Sequence, residues 1–130
     1  MLKRILSAAA LSLALAAPAA ADEHQKVGHM VYFQLKDNSP EAKAKLVAAC
    51  DKYLKGMAGV EYYSAGVRGE EFARDVNAKD WDVALNIIFK DKESYAKYEP
   101  HADHLKFIAE GKDNWKGVKV YDSLIGGGKK

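Results

Sequence analysis

Apolar side chains recur along this chain in two rhythms, period two and period 3.6, and the switches between them predict its elements. From Gly28 to Lys36, His29, Val31, Phe33 and Leu35 fall on one side of an extended segment, and Met30, Tyr32, Gln34 and Lys36 on the other. The alternation predicts a strand. Its second side is half apolar, so the strand is expected to be covered at least in part on both faces. Asp37-Asn38-Ser39-Pro40 then reads as a turn and a helix start, with Ser39 as cap and Pro40 in the first helical position, where its missing N–H is no loss. Ala42, Leu46, Ala49, Cys50, Tyr53 and Leu54 follow at helical spacing, and Gly56 and Gly59 mark the end.

The second half repeats the pattern with different punctuation. Val60 to Arg68 predicts a second strand, and Gly69 to Asp80 a long polar connection. Trp81, Val83, Leu85, Ile87 and Phe89 alternate with Asp82, Ala84, Asn86, Ile88 and Lys90 in a third strand. A second helix runs from Asp91 to Tyr98, is interrupted by Pro100, and resumes from about His101 to Gly111. Gly117 to Ile125, through Val118, Val120 and Leu124, closes the order β-α-β-β-α-β. That order predicts an α+β, ferredoxin-like fold, with two helices covering one face of a four-stranded antiparallel sheet. The uncovered face carries Met30, Tyr32, Ala84 and Ile88, too apolar for open water, so sheet-to-sheet packing into a homodimer is expected.

One apolar stretch follows neither rhythm. Ile5 to Ala17 is an uncharged run of about 13 residues behind Lys3 and Arg4, followed by Pro18 and Ala19-Ala20-Ala21. This is the layout of a secretory signal peptide over residues 1–21, and the run is too short to span a bilayer. Export to the periplasm or the extracellular space is the expectation, with no stable membrane span after cleavage. Residues 22–26 read as a flexible polar segment, 27–125 as the folded domain and 126–130 as a flexible tail. Removing Lys3 and Arg4 takes the formal net charge of +2 to about zero. The basicity therefore does not belong to the domain, and no nucleic-acid partner is expected. Cys50 is the single cysteine. It excludes an internal disulfide and, from its spacing, reads as a small buried hydrophobe.

The residues able to carry chemistry gather in Tyr98-Glu99-Pro100-His101-Ala102-Asp103-His104. Two histidines three apart share nearly one helix face. With Asp103 they make too sparse a set for a metal site, and His24 lies in the polar leader, so no metal or other cofactor is assigned. Acid–base chemistry fits better: imidazole titrates near neutral pH, and a tyrosine hydroxyl can donate to a developing oxyanion. His104, Tyr98 and His29, the last on the first strand, are the candidate catalytic residues. The competing reading makes them packing residues hydrogen-bonded to the backbone. No phosphate-binding glycine loop and no Gly-x-Ser-x-Gly elbow is present. Tyr62 and Tyr63 have no basic stripe beside them and read as core and dimer surface rather than a base-stacking platform.

These segments together resemble the stress-responsive dimeric α/β-barrel (Dabb) domain family. His29-Met30-Val31-Tyr32-Phe33-Gln34-Leu35-Lys36-Asp37 resembles its opening strand, Gly59-Val60 with Gly66 its second, Trp81-Asp82-Val83-Ala84-Leu85 with Phe89 its third, and Val118-Lys119-Val120-Tyr121-Asp122 its last. Tyr98 with His101-Ala102-Asp103-His104 is similar to the family's Tyr…His-Pro-x-His segment. The resemblance runs from about Val27 to Leu124. It implies a dimer whose two sheets form a barrel. One plant member cyclises a polyketide chain by aldol condensation, and the resemblance to it implies His104 as base, Tyr98 at the substrate carbonyl and His29 as the first-strand histidine. Val83 stands where that enzyme has a third-strand His, Cys50 or Asp51 where it has a first-helix Tyr, and Ala102 in place of the family's Pro. Three functions follow as expectations. The first is an exported homodimer binding a small apolar ligand without catalysis. The others are a His/Tyr-dependent cyclase or lyase on a carbonyl substrate, and a cofactor-free monooxygenase.

Overall fold

The structure, a computed structural model, describes residues 25–126. The expected signal peptide, His24 and the tail beyond Gly126 lie outside the described residues. Four strands, β1 (Lys26–Leu35), β2 (Val60–Val67), β3 (Val83–Phe89) and β4 (Trp115–Ile125), form one antiparallel sheet in the order β2-β3-β1-β4. Three helices, α1 (Pro40–Tyr53), α2 (Lys92–Tyr98) and α3 (Ala102–Gly111), lie between them in the chain, with a 3₁₀ turn at Lys112–Asn114 before β4. The fold is the ferredoxin-like one that the rhythm predicts, with its second helix broken in two. Pro100 offers no N–H to the α2 ladder, and the chain leaves helical geometry at His101. Lys26, read from sequence as part of the polar leader, is the first residue of β1 and pairs with Ile125.

The caps explain where the helices start. Ser39 Oγ accepts from the Ala42 N–H at 3.2 Å, Asp91 Oδ1 from the Ser94 N–H at 2.7 Å, and His101 Nδ1 from the Asp103 N–H at 3.1 Å. Each gives an orphan donor of the first turn its partner. After α1, Gly59 takes a positive φ of 85° and turns the chain into β2.

The period-two pattern becomes the two sides of the sheet. Val27, His29, Val31, Phe33 and Leu35 of β1, with Val83, Leu85, Ile87 and Phe89 of β3, are buried under the helices, where Leu46, Cys50, Leu54, Tyr98 and Phe107 meet them. Each large apolar side chain so buried contributes roughly 1.5–3 kcal/mol. Asp82, also buried, carries the β1–β3 pairing past its last pair, Phe33 with Val83: its N–H donates to the Phe33 carbonyl at 2.7 Å and its Oδ2 accepts from the Leu35 N–H at 2.8 Å.

The opposite side is covered only in part. Tyr62 and Tyr121 are 53% and 59% exposed on it. The connection from Gly69 to Asp80 reaches its β4 edge, where Trp81 meets Tyr32 edge-on at 5.0 Å and Lys119 pairs with Asp80 at 2.6 Å. Beneath lies a cavity of about 550 Å³ lined by Met30, Tyr32, Trp81 and Tyr121 among others. Among the described residues no helix is long and apolar enough to cross a membrane.

Candidate functional site

Three elements converge on His29. It stands at the middle of β1 on the helix-covered side, 6% exposed, and lies opposite Asp122 of β4 in the sheet register. Cross-strand partners share a face, so the carboxylate is delivered to the imidazole by the pairing itself. Asp122 Oδ1 lies 2.6 Å from His29 Nδ1. Tyr95, from α2, donates its hydroxyl to Asp122 Oδ2 at 2.6 Å and comes within 3.3 Å of the same Nδ1. A carboxylate only accepts, so Nδ1 carries a proton.

Tyr98 links this group to His104. Its ring packs edge-on to His29 at 5.3 Å and lies 4.3 Å from the ring of His104. Tyr98 is 3% exposed, and its hydroxyl has no hydrogen-bond acceptor among the described residues. Burial, reinforced by Cys50, Tyr95, Glu99 and Asp122 nearby, pushes its pKa above the ordinary phenol value. It therefore stays a protonated donor at neutral pH. His104 lies in the first turn of α3, half-buried, and its Nδ1–H donates to the Glu99 carbonyl at 2.8 Å. Its Nε2 is thereby left as the free acceptor.

The three residues read from sequence, His29, Tyr98 and His104, thus form one continuous string of rings. His101, from the same stretch, does not join them, because its ring nitrogen is used to cap α3. Among the described residues no group of three His, Cys, Asp or Glu side chains could hold a metal ion. Asp122 and Tyr95 were not expected in the site. Asp122 had a signal in the sequence: it is the one charged residue among the alternating Val118, Val120, Asp122 and Leu124 of β4. Tyr95 had none, since its place over His29 depends on how α2 docks.

Along the helix-facing side of β4 the surface next to Asp122 is apolar. Val118, Val120 and Leu124 pair in register with the buried Phe33, Val31 and Val27, yet are 43%, 50% and 56% exposed. The helices cover β1 and β3 and leave this side of β4 bare, so the polar cluster opens onto an apolar shelf. Two cavities, one under the 69–80 connection and one beside α1, are lined by none of the three sequence-identified residues.

No curated protein matches the chain. Solved structures match its fold. A Dabb family protein with a ferredoxin-like fold from Mesorhizobium loti is 20% identical, with 79% of this chain and 99% of that one covered at a TM-score of 0.66. A dimeric ferredoxin-like protein of unknown function from Thermobifida fusca is 15% identical, with 82% and 96% covered at a TM-score of 0.66. A hydroxynitrile lyase from Passiflora edulis is 14% identical, with 82% and 99% covered at a TM-score of 0.65. At these identities the likeness is one of fold. The family model of the stress-responsive A/B barrel domain matches residues 27–125, from the second residue of β1 to the last of β4, and the chain belongs to that family.

Proposed function

We propose that this protein is an exported homodimer that binds a small, largely apolar molecule along the helix-facing side of β4, with the molecule's polar end on the His29, Tyr98 and His104 cluster. The observation that carries the reading is the exposure of Val118, Val120 and Leu124 on the side of the sheet that elsewhere forms the core, directly beside the His29–Asp122 pair. An apolar shelf with a few convergent polar groups at one end is the usual make-up of a small-molecule site. Export rests on the charged and apolar pattern of residues 1–21. The homodimer rests on the apolar open face, on exposed Tyr62 and Tyr121, and on the dimeric relative from Thermobifida fusca.

Mass spectrometry of small molecules extracted from the exported, purified protein tests the binding reading. An apolar compound is expected with the wild type and not with Val120→Lys. Its retention in that variant counts against the shelf. Native mass spectrometry tests the dimer, which Tyr62→Lys with Tyr121→Lys is expected to dissociate.

The orientation of His104 favours a second reading. With Nδ1–H held on the Glu99 carbonyl and the imidazole 4.3 Å from the ring of Tyr98, whose hydroxyl stays protonated, the pair supplies a base and an oxyanion donor for a carbonyl substrate. A catalyst of that kind loses turnover in His104→Ala while keeping its fold. A binding protein loses affinity alone.

A further inference from the structure

A second cavity, of about 530 Å³, lies between α1 and the corner where α3 gives way to the 3₁₀ turn and β4. It shares no lining residue with the His29 cluster. Its floor is Leu35, Leu46 and Trp115, and its width comes from small residues, Ala42 and Ala49 on α1 and Gly111 at the end of α3. Gly111 is needed small: a Cβ there would lie 2.8 Å from the six-membered ring of Trp115. The size falls within the range of small-molecule sites, about 300–1,000 Å³.

Two features define what fits. The indole N–H of Trp81 donates to the Ala78 carbonyl at 3.1 Å, but that of Trp115 has no acceptor among the described residues. Among the described residues no buried side-chain nitrogen or oxygen is without a partner, so this N–H reaches solvent, and the groove is the space that Trp115 lines. The lining also holds the carboxylates of Asp37, Glu41 and Glu110, the ammonium groups of Lys45 and Lys52, and the side chains of Ser39 and Asn114. Mixed signs give neither an anion nor a cation a clear advantage, and Leu35, Leu46 and Trp115 offer apolar surface with one indole donor. We infer that this groove is a second binding site, for a flat, uncharged, mainly apolar molecule that rests on Trp115 and accepts a hydrogen bond from its indole.

The probe is 6-propionyl-2-dimethylaminonaphthalene, a flat uncharged ketone whose emission shifts to the blue in apolar surroundings. Its anionic counterpart is 8-anilinonaphthalene-1-sulfonate. The ketone is expected to bind the full chain saturably with a blue shift. Ala49→Phe, which fills the groove, should weaken it about tenfold or more. Ala48→Phe, at the exposed lip, does the same if the first variant fails to fold. Trp115→Phe should cost about fivefold, the worth of one neutral hydrogen bond. Saturable binding of the ketone is expected to persist in Val120→Lys, which removes the β4 shelf as a competing site, and the sulfonate should bind at least about tenfold more weakly than the ketone. Three results overturn the inference: no saturable binding, binding that follows Val120→Lys instead of the groove-filling variants, or a sulfonate that binds as tightly as the ketone.

Discussion

Removing the carboxylate of Asp122 should switch the tautomer of His29 without unfolding the protein. In the native site Asp122 Oδ1 accepts from His29 Nδ1–H at 2.6 Å, and the Tyr95 hydroxyl, 3.3 Å from the same nitrogen, donates to Asp122 Oδ2. In Asp122→Ala the Nδ1–H would have no full acceptor, and an unpaired buried donor costs about 1–3 kcal/mol. Tyr95 offers a remedy. Freed from Asp122, its hydroxyl can turn and donate to Nδ1, provided the proton moves to Nε2. One neutral hydrogen bond is then regained, about 1 kcal/mol, and the net loss is at most about 2 kcal/mol, up to roughly 15 °C in Tm for a domain of this size. Long-range ¹⁵N–¹H correlation spectra of the imidazole read the tautomer directly, and urea unfolding reads the stability. Asp122→Asn should keep the Nδ1–H form, because its amide oxygen still accepts, at less than about 1 kcal/mol. Adding Tyr95→Phe to Asp122→Ala removes the remedy and should cost about a further 1–2 kcal/mol. An unchanged tautomer in Asp122→Ala, or strict additivity in the double variant, would refute this account of the cluster.

Three further outcomes follow from other positions. Asp82→Ala leaves the buried Leu35 N–H unpaired and should cost about 2–4 kcal/mol in urea, against about 1 kcal/mol for Asp82→Asn, which keeps an acceptor; equal losses would exclude the hydrogen bond as the cause. Burial, with Asp51 second, pushes the Cys50 thiol up to about 12, so it should resist disulfide reagents at neutral pH in the folded state. Its contribution to stability is complete below the ordinary thiol value of about 8.5 and is lost as pH rises from there toward 12, because the unfolded chain gives up the proton first. Urea midpoints measured through that window should fall less steeply in Cys50→Ala. Gly59→Ala combines a positive φ of 85° with a Cβ placed where the Ser94 side chain already sits, and should lower stability by about 1–3 kcal/mol. Adding Ser94→Gly relieves the overlap but not the backbone strain, so thermal melts should show only partial recovery.

How much of this was legible in the sequence depended on the range of the interaction. The strands of β1 and β3 and the start of α1 were readable because alternation, Ser39 and Pro40 act within a few residues. His29, Tyr98 and His104 could be named by chemical type, and their meeting followed from a topology that the same alternation implied. The exposure of Val118, Val120 and Leu124 could not be read, because their spacing is that of a core-facing strand. Only the docking of the helices over β1 and β3 decides that β4 stays bare. Tyr95 was invisible for the same reason. The break between α2 and α3 was foreshadowed by Pro100, but His101 looked like chemistry and proved to be a cap.

The pairing of Lys26 with Ile125 has a consequence for how the chain is made. β1 is the first strand to be synthesised, and one of its two neighbours, β4, is the last. Its ladder on that side stays open until nearly the whole domain has been translated, and contacts of such long sequence separation form late and slowly. The growing chain therefore cannot complete its central ladder before the closing strand is made. The same adjacency, with the Gln25 side chain reaching the Gly126 carbonyl at 3.0 Å, means that residues 25 and 126 could be joined by a short bridge and the chain reopened within the 69–80 connection. A sheet so rewired would close its central ladder early in synthesis.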